Sequence, residues 1–147
     1  MQFHMANNVF KNNILDAGPE GLFTVSKSGR ISNETPTVEL DFNLYFLTSG
    51  SKVGRWQYDA SSYSGFNEYV KATGNDRHSR FADPLFINPT EHDFHLQPGS
   101  PAIGAGVVLD QSIVGLVDLD GAHRNSGGKI DIGCYEREAT ERNKEHQ

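Results

Sequence analysis

Turn-forming residues interrupt this chain so often that it cannot build long elements. The 147 residues include 15 Gly and 6 Pro, and Asn recurs in pairs at Asn7-Asn8 and Asn12-Asn13. Asn tolerates a left-handed backbone, while Gly and Pro end helices and strands. We therefore expect short strands joined by tight bends, with paired Asn at the bends, where neighbouring amides can hydrogen-bond each other.

Composition and charge limit the kinds of partner that the chain is expected to bind. With 36% hydrophobic and 22% charged residues the chain suits one globular domain, and Cys134 is its single cysteine, so no disulfide can form within it. The net charge is −6 and the basic residues are scattered, which argues against nucleic acid as a partner. No apolar run approaches the roughly 18 residues of a membrane span. The opening residues also lack the basic-then-apolar layout of a secretory signal.

A strand-bend-strand pattern occurs twice in the first third of the chain. Residues 4–15 alternate between apolar and polar, and 41–46 repeat the pattern after strands expected at 21–25 and 37–40. Asn8 and Asn43 are 35 positions apart, a spacing typical of repeat proteins. The sequence therefore predicts a repeated unit of short strands.

One segment has helical periodicity. Phe66, Tyr69 and Val70 share one helical face, and Gly74 is suited to a left-handed stop. Ser64 is the expected N-cap. We predict one short α-helix around residues 65–73.

Three later segments, 74–86, 93–106 and 118–121 with 131–136, resemble the C-terminal end of right-handed parallel β-helix proteins of the pectate-lyase-like kind. The resemblance implies an all-β fold, a right-handed parallel β-helix with few rungs, truncated at its N-terminal side. The implied domain covers 1–136, followed by a charged, disordered tail at 137–147. It also implies export to the cell surface or medium, for which the opening residues show no signal.

The resemblance associates the chain with polysaccharide-degrading or polysaccharide-binding proteins. A lyase of this kind needs a base and a group that neutralises a uronate, both placed along several rungs, and too few rungs are expected here. We therefore expect no complete catalysis; a remaining activity would be that of a polysaccharide lyase or glycoside hydrolase. The alternatives are a noncatalytic homo-oligomerisation or interaction module, or a gene fragment without a function of its own.

Asp76 and His78 are the candidate acid/base residues, because a carboxylate close to an imidazole can move protons. The alternative is structural, with Asp76 tying the end of the helix to the sheet. Trp56, Tyr58 and Tyr63 are the candidate carbohydrate-binding rings, since flat aromatic faces stack on sugars. Packing beneath a loop is the alternative.

Asp118 and Asp120 precede Gly121 like the start of a calcium loop, but a closing Glu is missing. No cofactor is expected, with calcium as the alternative at this turn. A zinc pair at His92 and His95 has little support, and Cys134 is expected to be a buried small hydrophobe. Structural roles are expected for five residues: Asp83, Asp120, Arg124, Asp131 and Glu136.

The first strands would leave a row of backbone N–H and C=O groups without partners. We expect this edge to be covered by a second copy of the chain, giving a homodimer or larger assembly. The interface residues are expected to be Val9, Phe10 and Ile14. Polysaccharide is the other candidate partner.

Overall fold

The computed structural model describes residues 8–17, 22–25, 38–48, 54–125 and 128–137. Within them lie ten strands: β1 Asn8–Phe10, β2 Ile14–Asp16, β3 Leu22–Val25, β4 Val38–Leu40, β5 Leu44–Phe46, β6 Arg55–Tyr58, β7 Ser61–Tyr63, β8 Arg80–Phe81, β9 Phe86–Asn88 and β10 Asp93–Leu96. The α-helices are α1 Phe66–Thr73 and α2 Gln111–Val114, and Pro89–Glu91 form a 3₁₀ turn. None of the helices in these ranges is long and apolar enough to cross a membrane.

Parallel pairing organises the first part of the chain. β1 pairs with β4, β2 with β5, β5 with β8, and β3 with β6, all in parallel. The pairing of β1 and β2 with β4 and β5 also continues through the bends between them. There Asn12 N donates to Phe42 O at 2.9 Å, and Leu44 N donates to Asn13 O at 2.8 Å. Residues 8–17 thus lie along one side of 38–47.

The predicted fold class is wrong, and with it the solenoid repeat. The described residues form four small sheets of two or three strands, and two sheets contain antiparallel pairs, β6 with β7 and β9 with β10. Beyond Phe81, strand pairing among the described residues consists of the β9–β10 hairpin and two isolated antiparallel bridges. The domain is a small mixed α/β domain, not an all-β right-handed parallel β-helix.

Proline explains why parallel pairing ends where it does. A proline lacks the N–H that a strand donates to its neighbour, so it interrupts a ladder. Four prolines follow β8 within about twenty residues, at Pro84, Pro89, Pro98 and Pro101. The chain there forms turns and one hairpin, and its later residues pack across the sheets.

The helices differ from the prediction in two details. α1 lies at the expected place, and Gly74 follows it with φ 74°, but Ser64 does not cap it. The N-cap is Gly65 without a side-chain cap, and the Glu68 carboxylate accepts the Ser64 N–H at 2.8 Å. The four-residue α2 was not predicted; Asp110 caps it by accepting the Ser112 N–H at 2.9 Å.

Left-handed residues form the bends between the paired strands. Asn12 has φ 61°, in agreement with the expected Asn bend, and Phe42 has φ 56° at the matching place. The expected amide contact is present, because Asn13 Nδ2 donates to Asn43 Oδ1 at 3.1 Å. The register differs from the 35-residue spacing predicted, since Asn43 lies beside Asn13 and not beside Asn8.

Two buried clusters lie on opposite sides of β5. The apolar core contains Leu44, Leu96, Ala102 and Ile132, and the aromatic core contains Tyr45, Trp56 and Tyr69. Leu44 and Tyr45 are consecutive strand residues, so their side chains point to opposite faces. β5 therefore separates the two cores and contributes to both.

The C-terminal segment is fastened to the first bend. Asn12 Nδ2 donates to Val107 O at 2.8 Å, and Asn12 Oδ1 accepts the Val107 N–H at 2.9 Å. Gly133 N also donates to Asn12 O at 3.0 Å. The two contacts between Asn12 and Val107 join residues 95 positions apart. The tail predicted at 137–147 lies outside the described residues, apart from Arg137.

Asn43→Ala should lower the free energy of unfolding by about 2–4 kcal/mol, because buried partners lose their hydrogen bonds. Asn43 is fully buried, its Oδ1 accepts the Asn13 N–H at 3.1 Å and its Nδ2 donates to Phe10 O at 2.9 Å. Urea denaturation measures the change. The exposed helical Asn67→Ala is the control and should stay within about 0.5 kcal/mol of the parent; equal losses would contradict the role of Asn43.

Candidate functional site

The candidate site is the N-terminal edge, defined as residues 8–17. Among the residues that the structure describes, β1 and β2 each pair with a strand on one side only. Val9 is 55% exposed and Phe10 is 50% exposed. Ile14, the third predicted interface residue, packs instead against the apolar core. The edge therefore presents two of the three predicted apolar side chains.

Both faces of β1 are open. Consecutive strand residues point to opposite faces, yet Val9 and Phe10 are exposed alike. The strand carries neither a proline nor a charge, the devices that usually protect an edge. Lys11 follows it, but its ammonium is held by Glu39 Oε1 at 2.5 Å. Among the described residues, nothing consequently protects this surface against another strand.

Asp76 and His78 are not brought together. Asp76 is 1% exposed and its carboxylate accepts three hydroxyls, those of Ser79 at 2.6 Å, Tyr69 at 2.8 Å and Tyr45 at 3.1 Å. We call these four residues with Asn43 the Asp76 network, since Asn43 Nδ2 also reaches Asp76 Oδ1 at 3.4 Å.

His78 lies outside that network and mostly in solvent. Its Nδ1 contacts Asp41 Oδ2 at 2.7 Å, and its ring stacks on Phe42 with 4.7 Å between centroids. Burial works to raise the pKa of Asp41, but hydrogen bonds from the His78 side chain and backbone outweigh it and lower this pKa. The pair His78–Asp41 thus fastens a bend.

Burial, followed by the nearby Asp76, raises the pKa of the phenols of Tyr45 and Tyr69 far above their usual range. A protonated phenol can donate to the carboxylate, whereas a phenolate would repel it. The Asp76 network therefore depends on neutral tyrosines and acts as internal structure.

The predicted sugar-binding rings belong to the aromatic core. Trp56 is 3% exposed and is stacked between Phe23 at 4.4 Å and Tyr69 at 5.1 Å between centroids. Tyr58 and Tyr63 are partly buried against the same cluster. Both faces of Trp56 are therefore covered, as in the packing alternative, and sugar binding by these three rings stays a prediction.

The Asp118 carboxylate is used by the backbone of its own turn. Its Oδ1 accepts the Asp120 and Ala122 N–H groups at 2.9 and 2.8 Å, and its Oδ2 accepts the Glu136 N–H at 2.7 Å. Within the described ranges no group of three or more His, Cys, Asp or Glu could hold a metal ion. These three hydrogen bonds hold the turn in its conformation.

The remaining predicted structural residues make separate contacts. Arg124 reaches Glu136 Oε1 at 3.4 Å and the carbonyl of Cys134 at 3.1 Å. Asp131 Oδ1 accepts the Gly104 N–H at 2.6 Å, and Asp83 Oδ1 accepts the Leu85 N–H at 2.8 Å. Asp120, the fifth of these residues, contacts a histidine.

That histidine is His95, whose role was missed in the sequence. Its Nδ1 lies 2.6 Å from Asp93 Oδ1, and its Nε2 lies 2.6 Å from Asp120 Oδ2. The hydrogen bonds with Asp120 and then Asp93 raise the pKa of His95. Asp93 and His95 are two residues apart on one strand and therefore share a face, so their contact could have been predicted from the sequence. The contact of His95 with Asp120, 25 positions away, could not.

A cavity of about 1460 Å³ lies between the end of the N-terminal edge, the β9–β10 hairpin and residues 132–135. Its apolar lining includes Ile14, Phe46, Phe86, Phe94, Leu96 and Ile132. Cys134 also lines it, and burial raises the pKa of that thiol, which keeps it protonated and weakly nucleophilic.

Comparison with known proteins yields one relative of unassigned activity. No family model and no solved structure matches the chain. Over 102 residues the chain is 35% identical to "Uncharacterized protein YwoF" of Bacillus subtilis strain 168, covering 69% of the chain but 21% of that relative. The chain thus spans about a fifth of the relative's length. Nothing in these comparisons indicates a pectate-lyase-like protein.

Tyr45→Phe should lower the free energy of unfolding at neutral pH by about 1–3 kcal/mol, because Asp76 loses a buried donor. The difference in unfolding free energy between parent and variant should narrow above about pH 10. Tyr45 ionises there in the unfolded parent but not in the folded one, so the parent loses this stabilisation as pH rises. Urea denaturation at neutral and alkaline pH measures it. Tyr63→Phe is the control, because Asp76 keeps all its donors in that variant. A loss of stability in Tyr45→Phe that stays constant with pH would contradict the role of the Tyr45 hydroxyl in the Asp76 network.

Proposed function

We propose that this chain is a noncatalytic assembly module that pairs with a second copy of itself through β1, the first strand of the N-terminal edge. The observation that carries the proposal is the exposure of Val9 and Phe10, 55% and 50%, on a strand paired on one side among the described residues. It corresponds to the interaction module that the sequence left open as an alternative.

The backbone of such an edge is self-complementary. Two identical strands related by a twofold axis run antiparallel and exchange N–H and C=O groups reciprocally. β1 offers three residues for this exchange, Asn8–Phe10. Strand addition of this kind derives affinity from the main chain and specificity from the side chains.

The side chains favour the same partner. Full burial of a Val or Phe side chain is worth roughly 1.5–3 kcal/mol, so half-exposed Val9 and Phe10 would each contribute part of that in both copies. Lys11 is already neutralised by Glu39 at 2.5 Å and brings no unpaired positive charge to the pairing. A twofold pair would therefore bury apolar groups without placing like charges together.

Ile87 on β9 and Phe94 on β10 share part of this combination, since they are 53% and 37% exposed on strands that pair only with each other among the described residues. Ile113 and Leu119 are both 72% exposed, but neither is in a strand, so neither offers a backbone ladder with its side chain. What distinguishes β1 among the described strands is that two consecutive apolar side chains, Val9 and Phe10, are exposed beside its unpaired side.

Val9→Lys should shift the chain toward monomer, because a lysine on an edge strand opposes strand addition. Gel filtration with light scattering, at micromolar to near-millimolar protein, measures the mass. Ile113→Lys is the matched control, since it replaces an exposed apolar residue away from any strand, and should assemble like the parent. A parent that stays monomeric throughout, or a control that dissociates as Val9→Lys does, would contradict the proposal.

A further inference from the structure

His95 sits between two carboxylates from different parts of the chain. Asp93 belongs to its own strand β10, and Asp120 belongs to the 118–121 turn. The distances are 2.6 Å from Nδ1 to Asp93 Oδ1 and 2.6 Å from Nε2 to Asp120 Oδ2. The imidazole is the link between the strand and the turn.

The number of hydrogen-bond donors that the His95 ring needs favours a positive charge on it. An ionised carboxylate only accepts, so a ring that bonds two carboxylates must donate from both nitrogens. Only the imidazolium has two N–H groups; neutral imidazole has one, and its other nitrogen would direct a lone pair at a carboxylate. The two distances are those expected for protonated His95, in which each ring N–H can donate to one carboxylate.

The surroundings also favour a cation. The Tyr135 ring stacks on His95 with 4.0 Å between centroids and 24° between planes, a position in which an aromatic face attracts positive charge. Titratable or charged groups packed around this cluster come from β10, the 118–124 segment and the C-terminal segment: Asp93, Asp118, Asp120, Arg124, Cys134 and Tyr135. Among them Arg124 is the cation, held by Glu136.

The link lies beside the cavity. Phe94 and Leu96, the neighbours of His95 on β10, line it on one side, and Cys134 and Tyr135 line it on another. The contact of His95 with Asp120 and Tyr135 thus holds two walls of the cavity against each other.

We propose that His95 is a pH-sensitive clamp, which when protonated holds the 118–121 turn and Tyr135 against β10 and on losing its proton to solvent releases them. One of the two hydrogen bonds breaks in that step because one N–H is gone. Asp93 and Asp120 then face the neutral ring without the cation that bridged them. Release loosens the cavity wall.

The direction of the pH dependence follows from the hydrogen bonds. Asp120 and Asp93 raise the pKa of His95 above its value in the unfolded chain, 6.5, so the clamp stabilises the fold fully below that pH. The contribution is lost as pH rises through the folded pKa. Hydrogen bonds from His95 lower the pKa of Asp93, so that carboxylate remains ionised in mildly acidic solution.

The test follows the imidazole signals of His95 by NMR between about pH 5 and pH 9, a range that brackets an ordinary histidine. The parent should titrate above 6.5, and Asp120→Asn should lower the His95 midpoint. Amide hydrogen exchange at residues 119–121 and 134–136, corrected for the intrinsic exchange rate at each pH, should become faster as His95 loses its proton. His92→Asn, a histidine change in the adjacent turn, is the control and should leave both profiles unchanged.

His95→Gln supplies the second arm, because its amide cannot become a cation. Its exchange rates in the same segments should be fast at every pH and equal those of the parent at alkaline pH. A parent His95 that titrates at or below 6.5, or exchange in the parent that does not follow the His95 titration, would overturn the clamp.

Discussion

A buried carboxylate organises the centre of this domain. Asp76 accepts hydrogen bonds from hydroxyl groups on β5, on α1 and on Ser79, which immediately precedes β8. A buried charge without such partners is costly, while a fully satisfied one fixes its donors in a single arrangement. The helix, the central strand and the start of β8 are thus held in register at one point, and the aromatic core forms around them.

The Asp76 network extends to the N-terminal edge through Asn43. That amide contacts Asp76 on one side and Asn13 and the Phe10 carbonyl on the other. The bends therefore align, and residues 8–17 follow 38–47 in parallel. This alignment keeps β1 extended at the surface with Val9 and Phe10 exposed, so the buried carboxylate and the proposed assembly surface are parts of one chain of hydrogen bonds.

Local features were predictable and their assembly was not. Alternation predicted the strands near Val38–Leu40 and Leu44–Phe46, and periodicity predicted α1, because neighbouring residues determine both. The resemblance misled on the fold, since turn motifs specify bends but not which strands pair after them. Asp76 and His78 looked like a pair, yet the left-handed Asp76, φ 54°, sends one side chain inward while the other remains outside. The contact of His95 with Asp120 depends on tertiary packing that no local pattern contains.

The double hydrogen bond between Asn12 and Val107 has a consequence for synthesis. It closes a loop of 95 positions, and contacts so distant along a chain slow folding because the entropy of closure is lost before the contact forms. On a ribosome the first strands emerge long before Val107 does. Their edge therefore lacks this tie until Val107 has been synthesised, an interval in which chaperones or neighbouring nascent copies can reach it.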